Sequence, residues 1–245
     1  MRRRLTVACF TAGAFMVLML AGCNGCNGPE RTVLRGGTVH LPLAHNRVLR
    51  YQETEDGKVT RYTIRMIYAG GEKIRVYDLE WKGLEHGFSS LLSSGAKVYY
   101  ETQQPLTAVV DQSHYRELWI DEDANEGADW NSDDVGINTV FAGYETVTVP
   151  AGTYADCYKT VSTVQPVYLD SLKAALERSE MSADVYHDLV QRAGLVVIRW
   201  FAAGVGLVKE QIGEPTHVRE LVAVERDGMG AVNPPVQTTP SDSGE

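Results

Sequence analysis

One stretch constrains the fold more than any other. Tyr62, Ile64, Met66 and Tyr68 alternate with Arg61, Thr63, Arg65 and Ile67, the period of two that a half-buried strand requires. Asp56-Gly57 stands before this run and Gly70-Gly71 follows it. Both are two-residue turn signals, because the central residues of tight hairpin turns must accept positive φ. Val48 to Glu80 therefore reads as a three-stranded antiparallel meander. Further strands are expected at Lys97–Glu101, Leu106–Asp111, Tyr115–Ile120, Asn138–Val149, Thr153–Thr163, Leu195–Phe201, Gly206–Ile212 and His217–Glu225. Connections of a few residues favour antiparallel pairing over crossover helices. One segment departs from the pattern. Between Tyr168 and Ala193, Leu169, Leu172 and Leu176 recur at helical spacing, as do Val185 with Leu189 and Tyr186 with Val190. Asp170 and Ser182 are the candidate N-caps and Gly194 the stop. This predicts a helical hairpin, or one bent helix, set as a lid over a cavity or packed flat on the sheet. The fold class is mainly β (α+β), antiparallel, with a helical insertion at about 168–193.

The first twenty-three residues carry a different message. Arg2, Arg3 and Arg4 precede an apolar run from Leu5 to Ala21, and Leu20-Ala21-Gly22-Cys23 closes it. The run is shorter than the ~20 residues of a comfortable membrane span, so it reads as a removable secretory signal. Small residues at Ala21 and Gly22 leave room for a peptidase. The layout resembles that of bacterial lipoproteins, whose typical lipobox is Leu-Ala-Gly-Cys. That resemblance implies diacylation, such as with palmitate, on the Cys23 thiol and anchoring to a membrane of the cell envelope. Asn24 after the cysteine, in place of Asp, resembles outer-membrane sorting with the body facing the periplasm. The expected organisation is a signal peptide over 1–22, a flexible tether over 23–37, one β domain over 38–226 and a disordered tail over 227–245.

Charge narrows the partners. Loss of the signal takes three of the 23 basic residues away and leaves 20 against 32 acidic ones, a formal charge of −12. Such a surface repels nucleic acid and anionic headgroups. Protein partners are not specified. Among the four cysteines, Cys9 leaves with the signal and Cys23 takes the lipid. Cys26 and Cys157 are then free to pair in an oxidising compartment, or Cys157 is simply a buried, inert strand residue. No Cys-x-x-Cys pair supports a zinc ribbon or a thioredoxin-like role.

Candidate chemistry is sparse. Asp121, Asp123 and Asn125 match the first three ligand positions of an EF-hand loop, but Glu126 stands where glycine is needed and Ser132 where the bidentate Glu belongs. An irregular calcium loop drawing on Asp121, Asp123, Asn125, Asp129, Asp133 or Asp134 competes with a plain solvated loop. Trp130 within it reads as a cover for a sheet edge. Ser94-Gly95-Ala96-Lys97 has Ser-x-x-Lys spacing without the Ser-Asp-Asn and Lys-Thr-Gly partners of penicillin-binding enzymes. Gly204 and Gly206 precede strand-like Leu207-Val208-Lys209, so they serve a bulge or a close backbone approach instead of a phosphate. The six histidines are scattered. No catalytic set and no cofactor follow from these residues.

Three segments resemble one another's counterparts in a largely uncharacterised family of secreted and lipid-anchored bacterial proteins. They are Val39-His40-Leu41-Pro42-Leu43 with Asn46 and Tyr51, then Val149-Pro150-Ala151-Gly152-Thr153-Tyr154 with Cys157 and Lys159, then Trp200-Phe201-Ala202-Ala203-Gly204-Val205-Gly206-Leu207-Val208-Lys209. Ala203 departs from the family's proline, and the 168–193 insertion lengthens a normally short connection. The resemblance implies a curved antiparallel sheet or half-barrel and an envelope location, and no reaction. A lipid-anchored protein acting by non-catalytic binding or scaffolding is the expectation, with an apolar or lipid ligand if the sheet is concave and apolar. The alternative is an envelope metal-assisted hydrolase using the acidic loop 121–134. A third reading is a structural lipoprotein that contacts other envelope components through a sheet edge.

Overall fold

The computed structural model describes residues 33–71, 73–78, 89–102, 115–132, 136–213 and 217–225. The signal with Cys23 and Cys26, the strand expected at Leu106–Asp111, Asp133, Asp134 and the 227–245 tail lie outside them.

The meander forms as its alternation demands. β3 (Val48–Glu55), β4 (Lys58–Gly70) and β5 (Lys73–Asp78) are joined at the two glycine turns. They continue into β6 (Ser89–Ser94), β7 (Lys97–Thr102) and β8 (Tyr115–Asp121). A second run comprises β9 (Asp129–Ser132), β10 (Ile137–Val149), β11 (Gly152–Val164), β12 (Val197–Ala202), β13 (Gly206–Ile212) and β14 (His217–Glu225). Every pairing is antiparallel, and β14 seats against β3, from His217 opposite Glu55 to Glu225 opposite Val48. The twelve strands form one sheet in the order β8-β7-β6-β5-β4-β3-β14-β13-β12-β11-β10-β9.

The two edge strands of that order then meet. Leu118 N donates to Ser132 Oγ at 2.9 Å, and Trp130 Nε1 donates to the Leu118 carbonyl at 2.8 Å. Side chains bridge this seam where a backbone ladder would close a true barrel. The sheet is therefore curled almost shut, further than a half-barrel. Trp130 does cover an edge, and it also holds that edge to its opposite.

β1 (Val33–Gly37) and β2 (Pro42–His45) form a separate hairpin laid across one end of the curled sheet. The tether expected up to Gly37 is thus too long, since its last five residues are β1. Val-Leu-Arg-Gly-Gly lacks alternation, and only pairing with β2 reveals it as a strand. Leu41 and Leu43 of the hairpin are fully buried and join the core with Leu49, Met66, Ile74, Val98, Ile120 and Phe201. Gly206 fits this arrangement: a Cβ there would stand 3.2 Å from Leu41 Cδ1. The expected close approach is made by the chain's own hairpin.

The insertion is a helical hairpin, α1 (Pro166–Glu177) and α2 (Ala183–Ala193), at the other end. Ser182 caps α2 through its Oγ, which accepts from Val185 N at 3.3 Å. Asp170, expected as the first cap, lies inside α1. Pro166 explains the earlier start, because its fixed φ and missing donor suit the first helical turn. Leu172 and Leu189 are buried where the helices pack on one another, and the pair touches the strands only marginally. It does not lie flat on the sheet.

Candidate functional site

Charged side chains at alternate positions of apolar strands point inward here, and the register places them in a line. Arg199 of β12 is opposite Glu210 of β13, which is opposite Arg219 of β14, which is opposite Glu53 of β3. Arg199 Nε donates to Glu210 Oε2 at 2.7 Å, and Arg219 Nη1 reaches Glu210 Oε1 at 3.0 Å. Arg219 Nη2 stands 3.7 Å from Glu53, whose carboxylate also meets the His217 ring. Opposite charges facing across neighbouring strands attract, and the row alternates in sign along its length.

Arg199 also crosses the interior. Its Nη1 donates to Glu117 Oε1 of β8 at 2.7 Å, while its guanidinium lies 4.7 Å over the Trp119 ring. Trp119 Nε1 donates to Glu117 Oε2 at 3.0 Å, and the same ring stacks on Tyr100 at 4.5 Å. The bridge therefore links β12 with β8, beside the seam. Glu117, Arg199 and Glu210 are all below a tenth exposed. Burial by itself would raise the Glu210 carboxyl, yet the guanidiniums of Arg219 and Arg199 hold it below the ordinary carboxylate range.

Sequence reasoning passed over this row. Its signal was available: Arg199 shares strand parity with buried Phe201, and Glu210 shares it with apolar Val208 and Ile212. What the pattern lacks is the register that aligns β12, β13 and β14 with one another and brings β3, from the other end of the chain, beside them.

The acidic stretch has a different role from the one its composition advertises. Glu122 takes hydrogen bonds from Val39 N (3.0 Å), His40 N (2.7 Å) and the His40 ring (2.9 Å). Burial raises its carboxyl, but these donors, with Thr38, bring it below the usual value. Asp121 pairs with Lys97 at 3.1 Å, and its carbonyl accepts from Tyr158 Oη at 2.7 Å. Asp123, Asn125 and Asp129 are exposed. Among the described residues, no three His, Cys, Asp or Glu side chains gather where they could hold a metal ion. Glu122 is instead the clasp of the β1–β2 hairpin, a carboxylate set against successive backbone amides.

Cys157 is a free thiol with no exposed surface, and burial pushes it up to about 11. With Cys23 and Cys26 replaced by serine, the folded protein is expected to ignore a water-soluble disulfide reagent and to react once urea unfolds it. Native-state labelling at the rate of a free thiol would contradict this placement.

No family model matches the chain, and no curated protein matches it. Two solved structures are similar to it. One is described as an exported protein with a YmcC-like fold from Bacteroides fragilis, 13% identical, covering 80% of this chain and 100% of that chain at a TM-score of 0.43. The other is described as a lipoprotein from Parabacteroides distasonis, 12% identical, covering 78% of this chain and 100% of that chain at a TM-score of 0.37.

Proposed function

We propose that the protein is a lipid-anchored component of the cell envelope, held by acyl chains on Cys23, whose body acts by non-catalytic binding or scaffolding. One observation carries the non-catalytic part: the charged side chains of the buried row are spent on one another. Arg199 is shared by Glu117 and Glu210, and Arg219 by Glu210 and Glu53. A general acid, base or nucleophile needs a group poised beside space for a substrate. Here each charged member of the row faces an oppositely charged partner instead.

Anchoring follows from chain number. Each buried methylene contributes roughly 0.8 kcal/mol, so one acyl chain binds marginally and two or more hold firmly. Asn24 after Cys23 supports placement at the outer membrane, with the body in the periplasm. Replacing Cys23 with serine is expected to move the protein from the membrane to the soluble fraction and to remove the acyl mass. A variant that stays on the membrane would overturn attachment through this thiol.

The same soluble variant tests for a carried apolar ligand. Leu41, Leu43, the Phe141–Tyr158 stack and the Arg199 bridge occupy the interior. Native mass spectrometry is therefore expected to give the bare protein mass, and an added acyl species would reveal a lipid-binding space. Binding is assigned to the outer surface.

A further inference from the structure

We propose that the end closed by the β1–β2 hairpin is a second membrane contact, lying on the lipid surface that holds Cys23. The inference rests on the anchor reading above and adds an orientation and a binding face to it.

The length of chain before the body sets the geometry. The described chain begins at Val33, inside the hairpin. Ten residue steps separate Val33 from Cys23, so the anchor lies within about 35 Å of that strand even at full extension. The hairpin end is therefore held close to the bilayer. The helical hairpin stands at the far end of the strands, the end at which Glu55 pairs with His217.

The surface at that end suits an interface. Leu34 is 67% exposed, Val39 63%, Tyr144 56% and Tyr68 37%. All four lie on or against the hairpin. Leu34 and Val39 are on the hairpin, Arg35 lies 4.9 Å over the Tyr68 ring, and the His40 ring is 5.6 Å from that of Tyr144. Aliphatic side chains mixed with tyrosines and an arginine are the composition favoured at headgroup depth. Four such residues would bind a bilayer poorly alone. A tether that keeps them at high local concentration makes a weak contact sufficient.

Charge selects among lipids. Asp123, Glu126 and Asp129 are exposed on the loop whose Glu122 clasps the hairpin. Anionic headgroups would be repelled there, so the face suits zwitterionic lipid. Val167, Val185, Leu195 and Val196 are also exposed, but on or beside the helical hairpin, at the end away from the tether.

The test uses the acylated full chain with Cys26 replaced by serine, in vesicles of phosphatidylethanolamine and phosphatidylcholine. An environment-sensitive fluorophore is attached in one sample at Val39→Cys and in another at Val185→Cys. Blue-shifted emission and several-fold protection from aqueous iodide are expected at position 39 and not at 185. Adding Leu34→Glu, or exchanging half the lipid for phosphatidylglycerol, should reduce that protection while flotation with the vesicles persists. Protein that floats with both sites equally open to iodide overturns the face and leaves the anchor standing. Protection at position 39 without vesicles overturns it as well. Protein that does not float has no acyl anchor, and the proposal fails with it.

Discussion

Replacing Arg199 with methionine is expected to cost about 3–5 kcal/mol of stability, the usual loss when one member of a buried ion network is removed. Methionine keeps much of the stem's volume, so the loss comes from charge and not from a cavity. It strands Glu117, left with Trp119 Nε1, and leaves Glu210 to Arg219 alone. Urea unfolding followed by tryptophan emission measures the effect, and a loss below about 1 kcal/mol would show that the bridge is not what joins β12 to β8. Replacing Glu117 with leucine in the same chain should restore part of it, because an apolar substitute removes the stranded charge.

The pH dependence of that loss has a definite sign. In the native protein the Glu210 carboxyl is held below its unfolded value of 4.5. Its contribution is therefore present above that pH and lost as pH falls through the folded value. Without Arg199, burial of Glu210 is opposed by less positive charge, and its carboxyl takes up a proton more readily. The deficit of the methionine variant should be largest near neutral pH and shrink toward pH 4.5. A deficit that grows on acidification would contradict the assignment.

Gly37→Ala is the second large effect. Gly37 has φ +89°, and a Cβ there would stand 2.3 Å from the Leu41 carbonyl oxygen and 2.5 Å from Leu43 N. Both are backbone atoms of the hairpin, so no side chain can move aside. The cost is expected to be about 3 kcal/mol, from the strained conformation together with displacement of Leu41 and Leu43. Gly57→Ala is the control. Its φ of +80° is similar, but nothing lies within 4 Å of the added carbon. It should cost only about 1 kcal/mol. Equal losses at the two positions would mean that the hairpin is not tightly seated.

The long strands were legible because each carries its own evidence. Alternation at Arg61–Tyr68 and turn chemistry at Asp56-Gly57 and Gly70-Gly71 are local, and β3, β4 and β5 follow them. Three elements had no such signal. Ser89–Ser94 reads Ser-Ser-Leu-Leu-Ser-Ser, which alternates in neither sense, and pairs only because β5 and β7 flank it. β9 is hidden in an acidic run, and β1 in a glycine-bearing leader. Site residues were harder still. Glu122 among Asp121, Asp123 and Glu126 looks like any solvated carboxylate until the hairpin amides arrive. Arg199, Glu210 and Arg219 become a row only through the register of β12, β13 and β14, and Glu53 joins it through the β3–β14 pairing, which no local pattern encodes.

That pairing also governs when the body can close. Most of the chain must emerge before β3 meets β14, and until then the two runs of strands are separate open sheets with unpaired edges. A chain leaving a ribosome or a secretion pore thus cannot complete its sheet until its final strand is free. Shutting the sheet is the last event of its manufacture.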